Sequence, residues 1–156
     1  MKQEKKENLL LSQSDCDRLL GLRKYALDTT ATFPFPVRGD RDLSIDLRSD
    51  DPAEKFLLDC GHNRIYLYAY KVQLRGRKTI PLARIDLGET KEHVNPDGTR
   101  LLGSHIHLYS EQYQMRVAKA LPLELDEVAD RQPLVVERFL DFCNIVDKPH
   151  FEYGLG

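Results

Sequence analysis

Short runs in which apolar and polar residues alternate are the feature that most constrains the fold of this chain. Residues 103–109 show the pattern most clearly, with apolar side chains at Ile106 and Leu108 and polar ones at His105, His107 and Tyr109. Successive side chains of a β-strand point to opposite faces of a sheet, so this alternation predicts a half-buried strand. The two imidazoles and the phenol are therefore expected on one polar face, where they form a candidate site.

The same two-residue period predicts further strands, at residues 43–48, 56–60, 64–72, 79–87 and, less regularly, 117–121. Ser12 has the side-chain oxygen that caps the free N–H groups of a helix start, and Pro133 suits the first turn of a closing helix. This order of elements predicts an α+β domain. A curved antiparallel sheet of about five to six strands is expected between an N-terminal helix and a C-terminal helix.

Length and composition place these elements in one globular domain. The chain has 156 residues, of which 41% are hydrophobic and 31% charged, and residues 1–11 are expected to form a charged leader before a domain over residues 12–156. It lacks a run of about 18 apolar residues and an apolar secretion signal, so we expect no membrane partner and a cytoplasmic location. The net charge of −2 argues against a wholly basic nucleic-acid binder.

The cysteines argue against two further classes of protein. Cys16, Cys60 and Cys143 are odd in number, far apart and without a Cys-x-x-Cys spacing. That pattern favours neither a disulfide framework nor a thiolate zinc site. We expect all three to be small buried apolar residues.

Two groups of residues are candidates for binding nucleic acid. Tyr66, Tyr68 and Tyr70 fall on one face of the strand predicted at residues 64–72, where they can stack on bases or pack against a neighbouring strand. The turn after this strand contains Arg75, Arg77 and Lys78, whose positive charges can hold phosphates or face solvent. Tyr113, after the histidine strand, offers a further aromatic ring.

A polar segment at residues 89–102 separates the strand predicted at residues 79–87 from the strand that contains His105 and His107. It contains His93 and the turn signal of residues 95–98, and it can fold His93 over the face of His105 and His107. Arg84 and Asp86 fall on one side of the preceding strand, either as an ion pair or as part of the site.

Several short segments together carry a resemblance to a known family: residues 11–13, 55–59, 77–86, 95–98 and 105–109, the last followed by Glu111 and Tyr113. Over most of its length the chain resembles small bacterial and prophage proteins of an uncharacterised family. The resemblance implies a setting in mobile elements or host defence and no particular mechanism. In size and residue type the chain is also similar to the small ribonuclease toxins of toxin–antitoxin pairs.

The first functional hypothesis is an endoribonuclease toxin that needs no metal or other cofactor. His105 and His107, with His93, would exchange protons with RNA, Arg84 would stabilise the charge that builds on phosphate, and Tyr109 would supply a hydrogen bond. The partners of such a protein are RNA and a cognate antitoxin or host protein.

Two alternatives stay open from the sequence. One is a module without catalysis that binds a protein or nucleic acid, such as an inhibitor or an anti-defence factor. The other is a metal-dependent enzyme in which His105 and His107 share an ion with His93, Asp97 or Asp86. The sequence leaves open whether the chain forms a homodimer.

Overall fold

The computed structural model describes residues 10–88 and 91–154. In these residues the helices are α1 (Gln13–Gly21), α2 (Leu123–Asp126) and α3 (Gln132–Phe142). The strands are β1 (Lys24–Ala26), β2 (Thr32–Pro34), β3 (Leu43–Ser49), β4 (Phe56–His62), β5 (Tyr70–Gly76), β6 (Ile80–Leu87), β7 (Glu92–Val94), β8 (Arg100–Leu102), β9 (His105–Leu108), β10 (Ala118–Ala120), β11 (Ile145–Asp147) and β12 (His150–Glu152).

Eight of these strands form one sheet in the order β10-β9-β6-β5-β4-β3-β1-β11. Neighbouring strands are antiparallel except at the β1–β11 edge, which is parallel. The predicted α+β class is confirmed, with α1 before the sheet and α3 near the end of the chain. The sheet is wider than predicted because β1 and β11, each of three residues, add to one edge.

The helix starts follow the local chemistry of the sequence. The Ser12 side chain accepts a hydrogen bond from the Asp15 N–H group at 3.1 Å and caps α1 as predicted. Pro133 stands in the first turn of α3, where a missing N–H group costs no helical hydrogen bond.

One face of the sheet carries the hydrophobic core. Ile45, Leu58, Leu74, Ile85 and Ile106 come from five adjacent strands and are buried together with side chains of α1 and α3, namely Cys16, Leu19, Val136 and Phe139. Burial of a large apolar side chain stabilises the fold by about 1.5–3 kcal/mol, so this layer fixes which face of each strand looks inward.

The opposite face of the sheet is polar, and strand register arranges it in rows. One row contains Asp59, Gln73, Arg84 and His107, and the next contains Gly61, Lys71, Asp86 and His105. Each row crosses β4, β5, β6 and β9 in turn. The sheet therefore places charged groups of β6 directly beside the histidines of β9.

The strand predicted at residues 64–72 is wrong for residues 64–69 and correct only for residues 70–72, which begin β5. β4 runs on to His62, residues 63–69 form a loop, and β5 begins only at Tyr70. The Asn63 side chain accepts hydrogen bonds from the N–H groups of Ile65 and Tyr66, which replaces strand pairing with a local turn. Tyr66 and Tyr68 lie in this loop, so the predicted row of three tyrosines on one strand does not exist.

The structure describes two residues of the predicted leader, Leu10 and Leu11. Residues 1–9 lie outside the described residues, but Leu11, which was assigned to the leader, is buried in the core with 3% of its surface exposed. Among the residues described, no helix is both long and apolar enough to span a membrane.

The cysteine prediction is confirmed. Cys16, Cys60 and Cys143 are free and buried. Burial raises the pKa of Cys16 to about 11 and that of Cys143 to about 12, so both thiols stay protonated at neutral pH.

Candidate metal centre

Three histidines from two parts of the chain meet on the polar face. His105 and His107 lie on β9 with ring centroids 4.9 Å apart, and the ring of His93 on β7 lies 5.5 Å and 5.0 Å from them. One possible ligand atom from each residue lies within 4.8 Å of the other two. His105 and His107 are 6% and 3% exposed, and His93 is half-buried. The cluster is thus shielded from water and opens on the side of His93.

The β7–β8 hairpin brings His93 to the pair. Its turn is closed by a hydrogen bond from the Gly98 N–H group to the carbonyl oxygen of Asn95, at 2.9 Å. The buried Asn95 amide also bonds to both backbone groups of Ala118, accepting at 2.8 Å and donating at 3.0 Å. Ala118 pairs with His107 across β10 and β9, so Asn95 holds the hairpin against the histidine strand. Sequence reasoning treated Asn95 only as a turn residue and missed this anchor.

Hydrogen bonds orient the two buried imidazoles. Nδ1 of His105 lies 2.8 Å from the carbonyl oxygen of Gly103, and Nδ1 of His107 lies 2.7 Å from that of Met115. A carbonyl oxygen only accepts, so each Nδ1 atom carries the hydrogen and donates it. In a neutral imidazole the Nε2 atom then has a lone pair and no hydrogen.

Both Nε2 atoms nevertheless face a carboxylate oxygen. Oδ2 of Asp86 lies 3.3 Å from Nε2 of His105 and 3.4 Å from Nε2 of His107. A lone pair and a carboxylate repel each other at this distance. Either each Nε2 atom binds a second proton or a cation lies between the nitrogen and oxygen atoms.

Asp86 is the centre of the charged part of the site. Arg84 on the same strand donates from Nε to its Oδ2 atom at 3.0 Å, which confirms the predicted contact between these two residues. Burial raises the pKa of Asp86, but the contacts with His105 and His107, which donate hydrogen bonds when both ring nitrogens are protonated, and the charge of Arg84 outweigh burial and hold that pKa far below its usual value. The carboxyl group is therefore ionised at neutral pH.

Tyr109 does not share the face of the histidines, so that prediction is wrong. β9 ends at Leu108, because the chain turns at Ser110, which pairs with Gln114. The Tyr109 ring is buried in the core, and its hydroxyl group accepts from the Leu11 N–H group at 2.9 Å and donates to the Leu11 carbonyl at 3.2 Å. Both hydrogen-bonding functions of the phenol are used by the backbone.

The predicted basic turn also lies away from the cluster. The Nη2 atom of Arg75 donates to Asp59 at 2.8 Å, and that of Arg77 donates to Glu54 at 3.0 Å, so carboxylates already neutralise both side chains. Arg75, Arg77 and Lys78 surround the β5–β6 turn, which is roughly 20 Å from Asp86 along β6. Tyr113 lies in the loop after β9, with the guanidinium group of Arg116 5.7 Å from its ring centroid.

Comparison with known proteins gives one match. A family model described as a family of unknown function (DUF6978) matches residues 11–145. No curated protein and no solved structure matches the chain. The resemblance to an uncharacterised family is thus confirmed, and no activity comes with it.

Proposed function

The chain belongs to DUF6978, a family of unknown function, and we propose that it binds a divalent transition metal ion of the zinc class through His93, His105 and His107. One observation carries the proposal. The Nε2 atoms of two buried imidazoles face the same carboxylate oxygen while their Nδ1 atoms donate to backbone carbonyls. Histidines that bind metal ions usually make such a second hydrogen bond, which fixes the free nitrogen toward the ion.

The distances in the cluster suit an ion of this size. A tetrahedral zinc ion with bonds of about 2.0–2.1 Å holds its ligand atoms about 3.3 Å apart. The Asp86 oxygen lies 3.3 Å and 3.4 Å from the two Nε2 atoms, which matches that spacing, whereas the ligand atoms of the three histidines lie within 4.8 Å of one another and would move closer together around one ion. Imidazole nitrogen with one carboxylate is a donor set that favours zinc, iron or manganese over magnesium or calcium.

The charge of the site also permits a metal ion. Without one, two buried imidazolium ions and Arg84 share the single negative charge of Asp86. A divalent ion would supply the same charge as the two extra protons, and His93, His105 and His107 would hold it. The ionised Asp86 is placed to be a further ligand or to accept a proton from water beside the ion.

Hydrolysis is the reaction class that this set of residues supports. An ion of the zinc class acts as a Lewis acid and lowers the pKa of bound water toward neutrality. Asp86 lines a surface cavity of about 410 Å³, so its carboxyl group can be reached from solvent. His93, His105 and His107 would hold the ion, and Asp86 would receive the proton.

Metal-free cleavage of RNA is the second candidate, and the same contacts favour it. If protons rather than a metal ion satisfy the Nε2 atoms, His105 and His107 are general acids next to Arg84. A substrate oxygen must then come within about 3 Å of a ring nitrogen. The low exposure of both rings, 6% and 3%, works against that approach. Two hypotheses from the sequence therefore stay open: an RNA-acting toxin with an antitoxin or host partner, and a module without catalysis.

Metal analysis tests the first proposal. Protein purified without a histidine tag should carry or take up about one Zn²⁺ per chain, measured by elemental analysis and titration calorimetry. His105→Ala and His107→Ala should each lower Zn²⁺ affinity at least 100-fold, because each removes a ligand. His150→Ala is the matched control, since His150 is exposed on β12 and outside the cluster.

Two outcomes separate the candidates. Wild-type protein that takes up no Zn²⁺, Mn²⁺ or Fe²⁺ at micromolar concentrations would overturn the metal proposal. RNA cleavage that continues in excess chelator and disappears in His107→Ala would establish the second candidate instead.

A further inference from the structure

Two neighbouring cavities lie on the side of Asp86 that faces solvent. The polar cavity, of about 410 Å³, is lined by charged residues that include Arg41, Arg64, Lys71 and Asp86. The aromatic cavity, of about 640 Å³, is lined by Phe35, Leu67, Tyr68 and Tyr153 among others. His62 and Tyr70 line both, so the two cavities lie side by side, and together they are called the cleft below. Each volume falls in the range of small-molecule sites, which is about 300–1,000 Å³.

The polar cavity is lined by three aspartates, Asp40, Asp42 and Asp86, and by three basic residues, of which two have no ion-pair partner among the described residues. Lys71 pairs with Asp42 at 3.7 Å, and Asp40 accepts a hydrogen bond from the Val37 N–H group at 3.0 Å. Arg41 and Arg64 are exposed and, within residues 10–88 and 91–154, have neither a hydrogen-bond partner nor an ion-pair partner. Two uncommitted guanidinium groups in one cavity suit a phosphate, which Arg binds in a bidentate manner.

The aromatic cavity presents ring faces and one unsatisfied hydroxyl group. Tyr68 is 75% exposed, and the half-buried Tyr153 ring stacks on Phe35 with centroids 5.5 Å apart. The Tyr70 hydroxyl oxygen is buried and has no hydrogen-bond partner among the described residues. A buried hydroxyl group without a partner destabilises the fold, and a hydrogen bond to a polar ligand atom would remove that penalty.

We propose that this cleft binds a nucleotide, with the base stacked in the aromatic cavity and the phosphate held by Arg41 and Arg64. A planar ring and an anionic group at opposite ends match the two halves of the cleft in chemistry and size. The phosphate end adjoins Asp86, and thus the histidine cluster. The role of this nucleotide as substrate rests on the proposed metal site, whereas its binding requires the cleft alone.

Titration calorimetry with AMP, GMP, CMP and UMP tests the proposal. At least one of these should bind the wild-type protein more tightly than ribose 5-phosphate or inorganic phosphate, because only a nucleotide fills both cavities. Replacing both arginines, Arg41→Gln with Arg64→Gln, should weaken that binding at least 10-fold, and Tyr68→Ser should weaken it for the nucleotide but not for ribose 5-phosphate. Arg48→Gln is the control, since Arg48 is exposed at the far end of β3 and stacks on Tyr25.

The same titrations distinguish a failure of this proposal from a failure of the metal site. They are repeated with His107→Ala and with chelator. Nucleotide binding that survives under these conditions supports the cleft independently of the metal site. Wild-type protein that binds a nucleotide and takes up no metal overturns only the metal proposal. The cleft is overturned if no nucleotide binds at millimolar concentration, if inorganic phosphate binds equally well, or if the double arginine variant binds like the wild type. Circular dichroism confirms that each variant is folded.

Discussion

Nε2 of His107 lies 3.4 Å from Oδ2 of Asp86, although these two residues are not opposite each other in the sheet. Arg84 is the register partner of His107, and Asp86 is the partner of His105. The imidazole of His107 thus reaches diagonally across the strands to a carboxylate that already faces His105. One aspartate is thereby shared by two histidines and an arginine.

Asp86→Asn should lower the affinity for Zn²⁺ about 10–100-fold, because the amide keeps the shape of the carboxyl group and loses its negative charge. Competition with a chromophoric chelator measures the affinity. Asp46→Asn is a matched control, since Asp46 is an exposed carboxylate on β3. Equal affinities in the wild type and Asp86→Asn would show that Asp86 plays no part in holding the ion.

Tyr109→Phe should lower the free energy of unfolding by about 1–2 kcal/mol and leave Zn²⁺ affinity unchanged. The phenol bonds to both backbone groups of Leu11 and is remote from the ligand atoms. Urea denaturation followed by circular dichroism measures the change. Tyr113→Phe, at a half-buried ring beside Arg116, should unfold like the wild type. A loss of metal binding in Tyr109→Phe would contradict the placement of this residue in the core.

Gly88→Ala should destabilise the fold more than Gly98→Ala. Both glycines have positive φ, +71° and +87°, so an alanine strains the backbone at either position. At Gly88, however, a Cβ atom would also lie 2.2 Å from the carbonyl oxygen of Tyr68, whereas at Gly98 nothing lies within 4 Å. The difference in unfolding free energy between the variants measures this clash, which we expect to exceed about 1 kcal/mol. Gly88→Ala should also weaken nucleotide binding, because it displaces the loop that carries Tyr68.

Lys24 should make stability depend on pH in the alkaline range. Its side chain is fully buried, and burial lowers its pKa from 10.5 to about 8 even though Nζ donates to three carbonyl oxygens. The unfolded chain therefore binds this proton more tightly than the folded protein. The resulting penalty is complete below pH 8 and disappears as pH rises from about 8 to about 10.5.

Comparison with Lys24→Met isolates that contribution, because the other titrating groups are common to both proteins. From pH 7.5 to pH 10, wild-type stability should rise relative to Lys24→Met by roughly 1–3 kcal/mol. Urea denaturation at each pH measures the difference. A difference that does not change with pH would mean that Lys24 keeps an ordinary pKa in the fold.

Local patterns predicted much of the secondary structure. The alternation at residues 43–48 and 79–87 corresponds to β3 and β6, and Ser12 and Pro133 mark the starts of α1 and α3. These predictions succeed because hydrophobic period and capping depend on neighbours in sequence. The prediction of a strand at residues 64–72 fails over residues 64–69 because it also used the alternation alone. There the Asn63 side chain competes with strand pairing, and alternation does not reveal such a turn.

The sequence by itself determined that His105 and His107 share one face of a strand, because side chains two residues apart in a strand must do so. It also placed Arg84 and Asp86 on one side of β6. Only the tertiary structure decided which strands are neighbours, and that decision set β6 beside β9 and folded His93 over both. The tertiary structure also places Tyr109 in the core and the basic turn at the end of β6 opposite Asp86. Strand order and loop packing depend on contacts between residues distant in the chain, which a two-residue period does not encode.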